Sequence, residues 1–121
     1  MIKMDHFSIY VRDDQVSKAW YAENFGLKVE FEVPERNTVA LVDDADVTLF
    51  LVRDPDRASA PHSCELTFQV DEVHRKHDEL KGRGVEIVNA PQKLYWGYGL
   101  AVRDPDGYLV HVWDEASMPA A

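Results

Sequence analysis

The chain has 121 residues, of which 45% are hydrophobic and 29% are charged, a composition typical of a folded globular domain. Its 22 acidic and 13 basic residues give a net charge of −9, which disfavours a nucleic-acid partner or an anionic membrane surface. The single cysteine excludes an intrachain disulfide, and the N-terminus lacks an apolar signal stretch, so the sequence predicts a cytoplasmic protein.

The first half of the chain predicts a strand, a helix and three further strands. Residues 5–11 alternate between apolar and polar side chains, as a half-buried strand does. Asp13 or Asp14 can cap the helix that follows, and Gly26 can end it. The apolar stripe of this helix consists of Val16, Ala19 and Trp20. Strand-like runs follow at 28–33, 38–42 and 47–52, with a turn over 43–46.

The same order of elements recurs in the second half. Residues 53–63 have loop composition and no periodicity, and we interpret them as a linker. A strand is predicted at 65–70 and a helix from about residue 71 to Gly82 and Gly84. Further strands are predicted at 85–88, 98–103 and 108–113, and Gly107 supplies the positive φ of the last turn.

Superposing the halves pairs His6 with Glu65, Gly26 with Gly84 and Phe50 with His111. A repeat of about 60 residues indicates two similar modules that share a core. We therefore predict an α+β fold of two βαβββ modules within one domain. Module one covers about 1–52, the linker 53–63 and module two about 64–115.

The duplicated chain resembles the vicinal oxygen chelate superfamily, which includes glyoxalase I, extradiol dioxygenases, fosfomycin resistance enzymes and bleomycin resistance proteins. The resemblance covers nearly the whole chain and implies that the modules form an open, cup-shaped β-barrel. This fold supports many chemistries, so the resemblance is weak on function. The motifs that carry it are Asp5-His6-Phe7, Trp20-Tyr21 with Phe25-Gly26, Trp96-Gly97, and Arg103-Asp-Pro-Asp-Gly107.

The resemblance also implies a metal site. Metal enzymes of the superfamily take ligands from the first, fourth, fifth and eighth strands, which here carry His6, Phe50, Glu65 and His111. Phe50 cannot bind a metal, but two histidines and one carboxylate can hold Fe, Mn, Zn or Ni. Relatives with three ligands usually have the order histidine, histidine, glutamate, which differs from the order here. In an enzyme of this kind Glu65 would also be catalytic, and Tyr10 or Tyr98 is a candidate proton donor.

A ligand pocket is predicted beside the metal positions. Strand alternation places polar and aromatic side chains on the inward faces, and aromatic rings stack on planar or cationic ligands. The candidate ligand-binding residues are Ser8, Tyr10, Thr48, Phe50, Thr67, Trp96, Tyr98, Leu109 and Trp113. His62 is a possible substitute metal ligand, and Cys64, which shares a face with Leu66, is expected to be buried.

Two functions remain open. The first is a divalent-metal-dependent enzyme of the isomerase, lyase or dioxygenase type that acts on a small oxygenated substrate. The alternative is a metal-free protein, like the bleomycin resistance proteins, that sequesters an aromatic or cationic antibiotic. Because small relatives often pair, we also expect a homodimer in which the first module of one chain completes a barrel with the second module of its partner. The loop-like linker would permit this exchange.

Overall fold

The computed structural model of the protein describes residues 1–94 and 97–117. Contacts divide the chain into two compact units, Met1–Pro61 and His62–Ala121. Each unit has its own four-stranded sheet, in which one strand pair is parallel and the others are antiparallel. The predicted α+β class and the βαβββ order of each half are confirmed. None of the helices in the described ranges is long and apolar enough to cross a membrane.

The first unit has a sheet of strand order β1-β4-β3-β2, in which β1 and β4 are parallel. Helix α1 packs on β3 and β4. The elements are β1 (His6–Val11), α1 (Asp14–Phe25), β2 (Lys28–Val33), one 3₁₀ turn (Pro34–Arg36), β3 (Thr38–Val42), β4 (Thr48–Arg53) and α2 (Pro55–Ser59).

The buried face of α1 differs from the predicted stripe. Ser17, Tyr21 and Asn24 are buried, whereas Val16 is 52% exposed and Ala19 is also exposed. The prediction is wrong for Val16 and Ala19, whereas Trp20 is half-buried and its ring meets that of Tyr21 edge-on. The buried positions 17, 21 and 24 are polar or amphipathic residues rather than aliphatic ones. Hydrophobicity alone does not reveal such a stripe, although its spacing is helical.

Helix ends follow the capping signals, and one such signal was missed. Asp13 accepts hydrogen bonds from the first turn of α1, and Gly26 ends the helix at φ 69°, as predicted. The segment 53–63 was interpreted as loop, but it contains α2. Asp54 caps this helix by accepting from the Arg57 N–H, and a proline occupies its first turn. An aspartate followed by proline is a helix-start signal that the loop-like composition obscured.

The second unit repeats this plan with strand order β5-β8-β7-β6. Its elements are β5 (Leu66–Gln69), α3 (Val73–Gly82), β6 (Ile87–Lys93), β7 (Tyr98–Arg103) and β8 (Leu109–Asp114). Strand β6 runs well past the predicted 85–88. It contains Pro91, which has no backbone N–H. A proline is tolerated in β6 because this strand lies at the edge of the sheet, where one side needs no hydrogen bonds to a neighbouring strand.

The strand registers agree with the predicted pairing of the halves. Ser8 lies opposite Phe50 in the parallel β1/β4 pair, and Thr67 lies opposite His111 in the parallel β5/β8 pair. Phe50 and His111 therefore hold the same place in their respective sheets.

Candidate functional site

Three rings from three strands form what we call the aromatic cluster of the first unit: His6, Phe31 and Phe50. The His6 ring stacks on the Phe50 ring with centroids 3.8 Å apart and planes at 16°. Phe31 meets Phe50 edge-on at 5.7 Å and 85°. Ala40 of β3 lies opposite both phenylalanines, and its small side chain leaves room for the rings to meet across the strand. Stacked and edge-on pairs are the arrangements that aromatic quadrupoles favour.

A pocket of about 330 Å³ opens beside the aromatic cluster. Phe50 is half-buried and Phe31 is 42% exposed, so ring surface is available to a ligand. The volume lies within the range of small-molecule sites. The lining residues are Phe31, Val33, Arg36, Thr38 and Phe50. Of these five residues, Phe50 is the one predicted from the sequence, although strand alternation puts Phe31 and Val33 on one face.

The neighbouring residue orients His6. The Nδ1–H of His6 donates to Oδ2 of the preceding residue, Asp5, at 2.8 Å, and this hydrogen bond holds the pKa of Asp5 below its ordinary value. In a neutral ring that donates from Nδ1, the other ring nitrogen, Nε2, carries the lone pair. Histidines that bind metals commonly donate their second N–H to a carboxylate in this way.

Glu65 and His111, two of the predicted metal ligands, are in direct contact in the second unit. His111 Nε2 lies against Glu65 Oε1, and the imidazole is 19% exposed while the carboxylate side chain is 58% exposed. A carboxylate oxygen and an imidazole nitrogen that lie this close together are suitable ligands for a divalent metal ion. Within each unit, however, the described residues contain no group of three acidic, histidine or cysteine side chains close enough to hold a metal. His6, the third predicted ligand, belongs to the first unit.

Of the ligand-binding residues predicted on the second sheet, Thr67, Leu109 and Trp113 share a face with His111. Tyr98 lies opposite Asp114 and so belongs to the other face, where its ring centroid is 5.5 Å from that of His74 on α3. Leu109, His111 and Trp113 are half-buried and alternate with fully buried valines along β8. The Trp113 ring packs against Gly97, where an added Cβ would approach the ring to 2.5 Å. Gly97 is thus needed to place the indole. Trp96 lies outside the described residues.

Both tyrosines predicted as proton donors make hydrogen bonds within their own units. Tyr10 accepts from Arg57 Nη1 at 2.6 Å, and the guanidinium carbon lies 4.7 Å from the ring centroid. Tyr98 donates to the Pro91 carbonyl at 3.4 Å. A catalytic role for either hydroxyl stays a prediction.

Polar side chains also flank the aromatic cluster. Ser8 is exposed on β1 opposite Phe50. Thr48 donates to Glu30 Oε2 at 3.0 Å, across strand β3. Glu30 is not predicted from the sequence, because it lies at a register shift between Val29 and Phe31 that strict alternation does not anticipate.

Two secondary candidates have other roles. His62 stacks on Tyr108 with ring centroids 3.6 Å apart, so its ring is engaged in packing. Cys64 is exposed, and the expectation that it is buried was wrong. It precedes β5, which begins at Leu66, so strand alternation does not govern its side chain.

Comparison with known proteins finds relatives that match most of the chain. A solved structure of TnmS3, described as an antibiotic binding protein from Streptomyces sp. CB03234, is 26% identical with a TM-score of 0.80, covering 95% of this chain and 97% of that one. Lactoylglutathione lyase from Agrobacterium tumefaciens is 20% identical with a TM-score of 0.70, covering 90% and 91%. The uncharacterised protein YetH of Bacillus subtilis is 21% identical over 105 residues, which are 83% of this chain and 88% of that protein.

Residues 3–112 match the family described as the Glyoxalase/Bleomycin resistance protein/Dioxygenase superfamily. The match spans both βαβββ units and agrees with the duplicated strand registers. The chain belongs to this superfamily.

Proposed function

We propose that the protein binds and sequesters a planar aromatic small molecule at the aromatic cluster. The observation that carries the proposal is the pocket of about 330 Å³ walled by Phe31 and Phe50. The similarity to TnmS3, an antibiotic binding protein, supports the same reading. It also agrees with the metal-free alternative that the sequence left open.

The ring geometry favours a flat ligand. His6 and Phe31 hold the Phe50 ring from two directions, so this ring has little freedom to lose when a ligand stacks on it. Each aromatic pair contributes about 0.5–1.5 kcal/mol beyond the burial of apolar area. Val33 adds apolar contact at the same wall.

Substitution of Phe50 tests this function. We expect Phe50→Ala to weaken binding of neutral naphthalene carboxamide about tenfold or more, since it removes both stacking and buried ring area. Isothermal titration calorimetry of the full chain measures the change.

The matched control is Phe7→Ala. Phe7 lies one residue from His6 on β1, on the opposite face by strand alternation, and it does not line the pocket. We expect this variant to bind like the parent chain. Unchanged affinity in a Phe50→Ala protein with native circular dichroism would contradict the proposal.

A divalent-metal-dependent enzyme is a second candidate, favoured by the contact between Glu65 and His111. When bound, a metal ion would supply Lewis acidity toward a substrate oxygen. The pair fits such an ion through one carboxylate oxygen and one imidazole nitrogen. In the absence of a metal, the Nε2–H of His111 donates to Glu65 Oε1, and this hydrogen bond fixes the orientation of the imidazole ring.

Metal titration separates the two candidates. If the pair binds metal, protein prepared without chelator contains stoichiometric metal by elemental analysis, and both Glu65→Gln and His111→Ala weaken zinc binding against a competing chelator. The same titration with His6→Ala tests the predicted third ligand. His74→Ala, an exposed histidine on α3, serves as the control. Metal-free protein with no measurable zinc affinity would eliminate this candidate while leaving the aromatic site intact.

A further inference from the structure

Arg36 places a cationic side chain at the wall of an otherwise uncharged pocket. The other lining residues are two phenylalanines, a valine and a threonine. Arg36 ends the 3₁₀ turn between β2 and β3. Among the residues that the structure describes, none forms a hydrogen bond or ion pair with its guanidinium. An Arg guanidinium is always charged at neutral pH, so this wall carries a fixed positive charge.

The backbone beside Arg36 is held firmly, which fixes where the side chain starts. Thr38 Oγ1 donates to the Arg36 carbonyl at 2.9 Å. Asn37 adopts a left-handed conformation at φ 54°, and its N–H donates to the Pro34 carbonyl at 3.0 Å. These bonds fix the backbone of Arg36 beside the pocket.

Among the lining residues, Arg36 is the charged one, although other charged side chains lie near its turn. Arg53 Nη2 donates to the Asn37 side chain at 2.8 Å, which brings a second guanidinium to the same turn. The carboxylates of Glu35, in the same turn, and Glu30, which accepts from Thr48, lie in the first unit but do not line the pocket. The charge on the pocket wall itself is therefore positive, although the whole chain carries a charge of −9.

We propose that Arg36 selects aromatic ligands that carry an anionic group, such as a carboxylate or an ionised phenol. The ligand rings lie on Phe31 and Phe50 while the anion pairs with the guanidinium, whose planar fork fits a carboxylate in a bidentate manner. This inference rests on the proposed binding function. It keeps the aromatic ligand expected from the sequence and replaces the cationic alternative with an anionic one. Distant charges are screened over about 8 Å at physiological salt, so the contact at Arg36 outweighs them.

The test compares two probes of nearly equal shape, naphthalene carboxylate and naphthalene carboxamide. We expect the parent chain to bind the carboxylate about tenfold more tightly, the effect of one charge-assisted hydrogen-bonded contact. Arg36→Gln should reduce this preference to near one and leave the affinity for the carboxamide unchanged. Arg36→Lys should retain part of the preference, since it keeps the charge but loses the fork.

Arg75→Gln is the matched control, since it removes the same charge from an exposed position on α3 that does not line the pocket. It should keep the full preference. Equal binding of the two probes by the parent chain, or a preference that survives Arg36→Gln, would overturn the role of Arg36. In that case, if both probes bind and Phe50→Ala weakens the binding of both, the aromatic site is supported without a selective role for Arg36. If neither probe binds, the proposed function fails as well.

Discussion

Phe50 and His111 hold equivalent register positions yet make different contacts. In the first unit, His6, the first residue of β1, stacks on Phe50 of the parallel strand β4. In the second unit, Glu65, the residue before β5, contacts His111 of the parallel strand β8. The duplicated scaffold thus brings the same two strand positions together in both units. In the first unit the result is an apolar ring pair suited to stacking. In the second it is a polar pair suited to proton or metal chemistry.

Asp114 joins the last strand to a helix through its buried carboxylate. It ends β8 and is fully buried, and its Oδ2 accepts the Val73 N–H at the start of α3 at 2.7 Å. Ser117 donates to it from both backbone and hydroxyl. Burial opposes ionisation of Asp114, but these hydrogen bonds outweigh it, so its pKa lies below the ordinary value of 3.8. Glu72 caps the next two N–H groups of the helix.

Removing this carboxylate should destabilise the second unit. We expect Asp114→Ala to lower the free energy of unfolding by about 1–3 kcal/mol, because the buried Val73 N–H loses its acceptor. Because the pKa of Asp114 is lowered in the folded state, its carboxylate contributes its full stabilisation at pH values above 3.8, the ordinary pKa. This stabilisation is lost as the pH falls below 3.8 and the carboxylate becomes protonated. Urea unfolding at neutral and acidic pH measures both effects. Glu115→Ala, an exposed neighbour, should leave stability unchanged. An Asp114→Ala protein as stable as its parent at neutral pH would refute this account.

Sequence patterns predicted the strands better than the site. The strand-like runs predicted at 28–33, 38–42 and 98–103 match the observed bounds of β2, β3 and β7, because short runs rich in β-branched and aromatic residues between turn signals are typical of strands. The pocket was mostly missed. Phe31 reaches Phe50 only because Ala40 lies between them, and Arg36 reaches the wall only through a 3₁₀ turn. Both depend on which strands become neighbours, which local periodicity does not encode.

The duplication was visible in the whole chain because both halves keep the same order of elements and matching glycines. Gly26 and Gly84 were paired from sequence, and both have positive φ, at 69° and 78°. Such positions favour glycine on backbone grounds, so they persist while pocket residues diverge. The division of contacts falls at residues 61 and 62, inside the predicted linker.

The sheet of each unit has two edge strands, and some of these strands carry exposed apolar side chains. In the first unit β1 and β2 are the edges, and in the second β5 and β6 are. Phe7 on β1, Val29 on β2 and Val88 on β6 are each at least 40% exposed. A unit of about 60 residues also has a marginal core of its own. Burial of these edges between copies would supply the missing apolar contact.

We therefore expect a homodimer, with a mass by light scattering of twice 13.8 kDa at micromolar concentration. Since each copy carries a charge of −9, the copies repel one another, and added salt should strengthen association by screening this repulsion. The dissociation constant of the dimer should fall as the sodium chloride concentration rises. If ion pairs held the dimer together, the dissociation constant would instead rise with salt. Sedimentation velocity across a salt series distinguishes the two cases. A mass of one chain at every concentration and salt level would show that the edges stay open in solution.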